Sequence, residues 1–159
     1  MDIEWITVEP GKVFIGSDNR SILFGGIGPR HEVKIDYNYE ISYLPVSSKI
    51  SKKFLESKDC YIASESEWSL AMKRKLIFGN NQVEELSDRI RGSYWSKYCD
   101  GRPFIEDNWL MKVSRTWISE TPSITSIPKG EKSEYVRLVR RLDVEYNDSS
   151  APKLPNSSD

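Results

Sequence analysis

His31 is the only histidine in a chain of 159 residues, and Cys60 and Cys99 are the only cysteines. Within one chain that count excludes a three-histidine iron site, a two-histidine-one-carboxylate triad and a HExxH zinc site. A zinc site from His31, Cys60 and Cys99 stays open, but nothing in their spacing favours it. The cysteines form no CxxC pair and read as two reduced thiols, with a single disulfide as the alternative. Asp88, Asp100, Glu106 and Asp107 offer carboxylates for acid-base work, which needs close spacing and pKa values pushed apart. With 24 acids in the chain, such groupings arise by coincidence, and no catalytic residue is assigned. The stretch "FGGIGP" at 24–29 lacks both GxGxxG and GxxxxGK[ST], and Pro29 removes a backbone donor where phosphate would need one, so it reads as a turn.

The segment "RIRGSYWSKYCDGRPFIEDNWLMKVSRTW" at 89–117 interleaves cations with rings. Tyr94, Trp95, Tyr98, Arg102, Trp109, Arg115 and Trp117 are the candidate ligand-binding residues. Exposed together, they make a stacking and cation–π surface for a protein, peptide or carbohydrate partner. The competing use of Trp95, Trp109 and Trp117 is to fill the core. A formal net charge of −1 gives no global attraction to nucleic acid or anionic membrane.

The elements that must position these residues follow from periodicity. Apolar residues make up 38% and charged residues 30%, a globular balance, and the length suits one domain, set at residues 1–146. "IEWITVEPGKVFIGSD" predicts two short strands around Pro10-Gly11, an N-terminal hairpin. Val33, Ile35 and Tyr37, then Tyr39, Ile41 and Tyr43, alternate as one or two strands before Pro45. Ile50, Phe54 and Leu55 recur at helical spacing after Ser47. "CYIA" at 60–63 predicts a brief strand. Ser64 and Glu67 then fit a capping box, with Trp68, Ala71, Met72 and Leu76 on one helical face. Residues 79–135 read as loop-rich with short strands, and "YVRLVRRLDVEY" as a final strand reaching Tyr146. The Pro/Ser/Asn-biased residues 147–159 read as a disordered tail. No window approaches the span of a bilayer, and the opening residues show no basic region followed by an apolar one, so the expectation is a cytoplasmic protein.

Four stretches together resemble the formylglycine-generating (sulfatase-modifying factor) domain family. They are "WITVEPGKVFIGSD", "GPRHEVKIDYNYEISYLPVSSKISKKFL", "YIASESEWSLAMKRK" with Glu65, Glu67, Trp68 and Ala71 in matching positions, and "YVRLVRR" with Arg137, Leu138, Val139 and Arg140. The likeness spans roughly residues 3–141. It implies an α+β, C-type-lectin-like fold with two short helices, paired N- and C-terminal strands and a loop-rich second half. A weaker match lays "NNQVEELSD" on a segment that can help bind calcium in the family. Only Glu84 could carry that role, since the upstream asparagine ligand falls on Ile77.

The family's oxidases use two nearby cysteines in their C-terminal third, where thiolates can hold copper(I). Here no cysteine follows Cys99, and iron-dependent relatives need several histidines. The resemblance therefore implies a catalytically degenerate scaffold with no cofactor: a binding module that presents 89–117. The alternatives are an enzyme of altered chemistry, using carboxylates or Cys99, and a structural subunit of a larger or homo-oligomeric assembly.

Overall fold

The computed structural model describes residues 2–16, 27–57, 59–79, 81–118, 121–142, 144–146 and 151–152. The first half of "FGGIGP" and all but two residues of the expected tail therefore lie outside the described residues. Alternation produces β1 (Trp5–Val8), β2 (Gly11–Ile15), β3 (His31–Ile35), β4 (Tyr39–Ser42) and the short β5 (Val46–Ser47). Helix α1 (Ser48–Leu55) follows, then β6 (Cys60–Ile62) and helix α2 (Glu65–Lys73). The remainder holds β7 (Glu84–Ile90), β8 (Met111–Ile118), β9 (Thr121–Pro128), β10 (Tyr135–Val136) and β11 (Leu138–Arg140).

Three sheets result: β1-β4-β11-β6, β5-β10-β7-β8-β9 and the ribbon β2-β3. Strands from near both ends of the sequence thus share the first sheet, where β1 and β11 each pair with β4. Helix α2 is nearly engulfed: every residue from Glu65 to Ala71 is buried. Trp68, fully buried, packs with Val8, Ile35, Ile41, Leu86, Ile90, Val113 and Val139 in the main core. A second cluster of Val46, Cys60, Val136 and Leu138 lies with Ile50 and Phe54 of α1.

Both helix caps form as their sequences dictate. Ser47 accepts from the Ile50 N–H, and Ser64 and Glu67 complete a reciprocal capping box.

Three expectations need correction. The strands flanking Pro10-Gly11 do not pair with each other: β1 pairs β4 and β2 pairs β3. The Arg74 side chain takes the carbonyls of Glu9 at 2.6 Å and Pro10 at 2.9 Å, and holds the chain as it crosses from one sheet to the other. A Cβ on Gly11 would sit 2.0 Å from the Arg74 Nη2, so the bare glycine makes room for that clamp. The second half is less loop-rich than expected, because β8 and β9 form a long antiparallel pair from Met111–Pro128 to Ile118–Thr121. Pro122 and Pro128 disguise β9 in the sequence, but β9 is an edge strand, where proline is tolerated. Finally, the 135–146 stretch is not one strand. It breaks at Arg137, with β10 in the five-stranded sheet and β11 in the four-stranded one.

Candidate functional site

The rings and cations of 89–117 do not converge on one surface. Tyr94 is fully buried, and its hydroxyl donates to Glu65 Oε1 at 2.5 Å. Arg115, on β8, donates to Glu65 Oε2 and sets its guanidinium 5.4 Å from the Trp68 ring. These two candidates are interior residues, a correction with a plain cause: Glu65 is buried beside them and needs their protons. Trp95 is half-buried. Trp117 lies on β8 opposite Pro122, and its side chain is outside the described set.

The surface-facing candidates form two separate groups. In one, Tyr98 is 44% exposed and lies against the Arg102 guanidinium at 4.3 Å, which also meets the Tyr146 ring at 5.1 Å. Asp100 grips Arg102 from its edge, with Nε 3.0 Å from both carboxylate oxygens and Nη2 2.5 Å from Oδ2. In the other, Trp109 stands between Arg89 at 5.5 Å and Lys129 at 4.8 Å. Beside Trp109, Leu110 is 58% exposed, and Ile105, bridged to Arg89, is 64% exposed.

Behind these surfaces lies a buried polar assembly gathered around the start of α2. Glu67 serves three partners. It accepts from the Ser64 N–H at 2.9 Å, from the Tyr37 hydroxyl at 2.8 Å and from an Arg141 fork at 2.6 Å on each oxygen. Asp88 accepts from the backbone N–H of Glu65 at 2.9 Å and of Phe104 at 3.3 Å, so it pins the helix start to the 101–105 loop. Lys97, fully buried, donates to Ser66 Oγ at 3.3 Å and to His31 Nε2 at 3.0 Å. Since a carbonyl only accepts, the His31 Nδ1 carries the proton toward Pro29 O at 2.8 Å, leaving Nε2 to accept from the lysine. The sequence signalled Glu67 through the capping box and Glu65 through its place in the resembling motif; Lys97 and Arg141 had no signal that set them apart from surface charges.

The calcium reading of Glu84 does not fit. Its carboxylate is fully buried and accepts from Trp68 Nε1 at 2.7 Å and from Arg137 at 2.6 and 2.8 Å, leaving no face for a hard cation. Nor do the loop carboxylates form a pair: Asp100 is spent on Arg102, Glu106 accepts from the Arg91 N–H at 2.9 Å, and Asp88 is inside. Cys60 and Cys99 form no disulfide, and both are buried in different core clusters, so they neither pair nor join His31 as ligands. Burial pushes the Cys60 thiol upward, which lowers its reactivity. Among the described residues no group of three or more His, Cys, Asp or Glu side chains is placed to hold a metal ion.

Two groups of the assembly titrate in opposite senses. Burial, reinforced by Glu65, pushes Asp88 up to about 6. Burial, then the Lys97 charge, pushes His31 down to about 4. The folded state takes up a proton on Asp88 more readily than the unfolded chain, so this group's contribution falls as pH rises through 3.8 to about 6. The folded state resists protonating His31, so that contribution is lost as pH falls from 6.5 to about 4. The two trends oppose each other in one window. In urea unfolding over that window, His31→Gln is expected to make stability fall more with rising pH than in the unsubstituted protein, and Asp88→Asn the reverse. Parallel profiles for all three proteins would refute the assignment.

No family model and no curated protein matches the chain by sequence. Its structure is similar to that of PvdO from Pseudomonas aeruginosa, with a TM-score of 0.60 and 11% identity, covering 87% of this chain and 94% of that one. The chain thus has the α+β, formylglycine-generating-enzyme-like fold implied by its motifs. No helix among the described residues is long and apolar enough to cross a membrane.

Proposed function

We propose that this domain is a non-catalytic recognition module, a formylglycine-generating-enzyme-like scaffold that has lost the reaction and presents part of 89–117 to a protein or peptide partner. The observation that carries the reading is the exposure of Ile105 at 64% and Leu110 at 58% next to Trp109, itself framed by Arg89 and Lys129. Neighbouring exposed apolar side chains beside an aromatic anchor, with cations at the rim, are what protein interfaces use. The interior supports the same reading from the other side. Glu65, Glu67, Glu84 and Asp88 already have partners inside the protein, and the cysteine pair of the family's oxidases is absent.

Loss of apolar contact at this patch is the direct test. With the chain immobilised and a lysate of its own source passed over it, the double substitution Ile105→Asp, Leu110→Asp is expected to cut recovery of a specific partner on the order of tenfold or more. Its thermal midpoint should stay near that of the unsubstituted protein, because both side chains are solvent-facing. Unchanged recovery would overturn the reading. A dimer by light scattering that the same double substitution dissolves would redirect it to a second copy of this chain.

A further inference from the structure

We propose that Arg102, Tyr98 and Tyr37 form a seat for the tyrosine ring of a basic peptide, and that Tyr146 of the same chain holds that seat until such a peptide displaces it. The inference rests on the reading of 89–117 as a recognition surface and names its partner chemistry and its regulation.

The receiving side is fixed before any ring arrives. Asp100, 3% exposed, clamps the Arg102 guanidinium along its edge, which leaves the faces of the cation for rings, and Tyr98 lies 4.3 Å from it. Tyr37 is anchored through its hydroxyl to Glu67, which the Arg141 fork holds in turn. Gly101, at φ +96, lets Tyr37 approach: a Cβ there would lie 2.5 Å from the Tyr37 hydroxyl oxygen. Tyr146 adds a side-chain hydrogen bond to Tyr37, but the bonds from Asp100 to Arg102 and from Tyr37 to Glu67 do not involve it and hold both groups in position.

The occupying side is held differently. Tyr146 sits 5.1 Å from the Arg102 guanidinium and edge-on to Tyr37, with ring centroids 5.7 Å apart at 84°. It belongs to 144–146, outside any strand, and further along the Ser96 N–H donates to the Pro152 carbonyl at 2.9 Å. Among the described residues, 144–146 and 151–152 are attached by ring contacts, the Tyr146–Tyr37 side-chain hydrogen bond and that backbone hydrogen bond, with no sheet pairing. Such an attachment is weak enough to exchange with an external ligand.

The surroundings choose the ligand. Leu142, Val144 and Glu145 line an open groove of about 820 Å³ together with Asp36, Tyr37 and Glu40. Displacing the segment opens the seat onto that groove. Asp36, Glu40 and Asp59 outnumber Arg140 in the lining, with Asp36 3.8 Å from Lys34 and Glu40 paired to Arg140 at 2.8 Å, so the groove is acidic. Charge complementarity thus favours a tyrosine flanked by lysine or arginine.

The test uses the full chain and a fluorescein-labelled peptide Gly-Lys-Tyr-Lys-Gly, read by anisotropy. Tyr146→Ala, which empties the seat, is expected to bind it at least tenfold tighter than the unsubstituted protein, and Tyr146→Phe, which keeps the ring and loses only the hydroxyl bond to Tyr37, to show a much smaller gain. Adding Arg102→Ala to Tyr146→Ala should abolish the gain. In the unsubstituted protein, saturating peptide should accelerate hydrogen exchange at the Ser96 amide, a readout that needs no substitution. Equal affinity of the Tyr146→Ala and unsubstituted chains, equal binding of a peptide with alanine in place of its tyrosine, or unchanged Ser96 exchange at saturation would each overturn the proposal. Loss of partner recovery on Ile105→Asp, Leu110→Asp with no gain on Tyr146→Ala would keep the recognition module and remove this seat.

Discussion

Replacing Arg137 by methionine is expected to destabilise the domain by about 3–5 kcal/mol, the range found when one member of a buried ion pair is removed. Both Arg137 and Glu84 are fully buried. Arg137 donates twice to Glu84, at 2.6 and 2.8 Å, and also to the carbonyls of Ser42 at 3.0 Å, Tyr43 at 2.8 Å and Phe78 at 3.1 Å. Without the guanidinium, Glu84 keeps, among the described residues, the Trp68 indole as its one donor, and the arginine's bonds to three carbonyls are lost. The companion variant Arg137→Met, Glu84→Leu should recover part of the loss by removing the stranded charge, although the carbonyls stay deprived. Urea unfolding of the two variants separates these terms. A loss below about 1 kcal/mol in the single variant would show that the pair is not the interior joint described here.

The second large effect is expected at Glu67. Glu67→Gln keeps the volume and one carbonyl oxygen but removes the charge opposite Arg141, which is 7% exposed on its side chain. It also puts an NH2 where the Arg141 fork, the Ser64 N–H and the Tyr37 hydroxyl require an acceptor. A cost of about 2–4 kcal/mol follows from one charge-assisted fork and one neutral bond lost from a dry site. Because Tyr37 is tethered through Glu67, the same substitution should also shift the Tyr146 ring resonances in the NMR spectrum. A mere capping defect would cost only about 1 kcal/mol and leave those resonances in place.

Local patterns in the sequence were reliable guides to local structure. Ser64 and Glu67 announced α2 because a capping box depends on residues three apart, and the alternation around Val33 and Ile41 announced β3 and β4 for a similar reason. What pairs with what was not legible. Trp5 and Phe14 read equally well as neighbours across a turn, yet their strands join different sheets because the partners, β4 and β3, lie farther along the chain.

The buried acids were hidden for another reason. Glu65 and Asp88 look like solvent-facing residues until Tyr94, Arg115 and the backbone N–H groups of Glu65 and Phe104 are seen to satisfy them. Tyr94 and Arg115 were recognised as special, but as surface ligands. Their type was informative and their direction was not, since nothing in an irregular loop or a mixed strand fixes which side faces inward. Tyr98, Arg102 and Trp109 did face outward, at least in part, but in two groups rather than one.

The break at Arg137 also bears on how the protein comes into being. Residues 135–140 supply the central strands joining β5 to β7 in one sheet and β4 to β6 in the other, and all four of those partners are synthesised earlier. A nascent chain that has reached only Glu134 has neither sheet closed, and its Glu84 carboxylate waits without Arg137. Such long-range closure makes folding slow relative to chains built from local contacts. The domain must therefore be completed late, after synthesis of β11, and until then its unpaired strand edges are open to chaperones or to neighbouring chains.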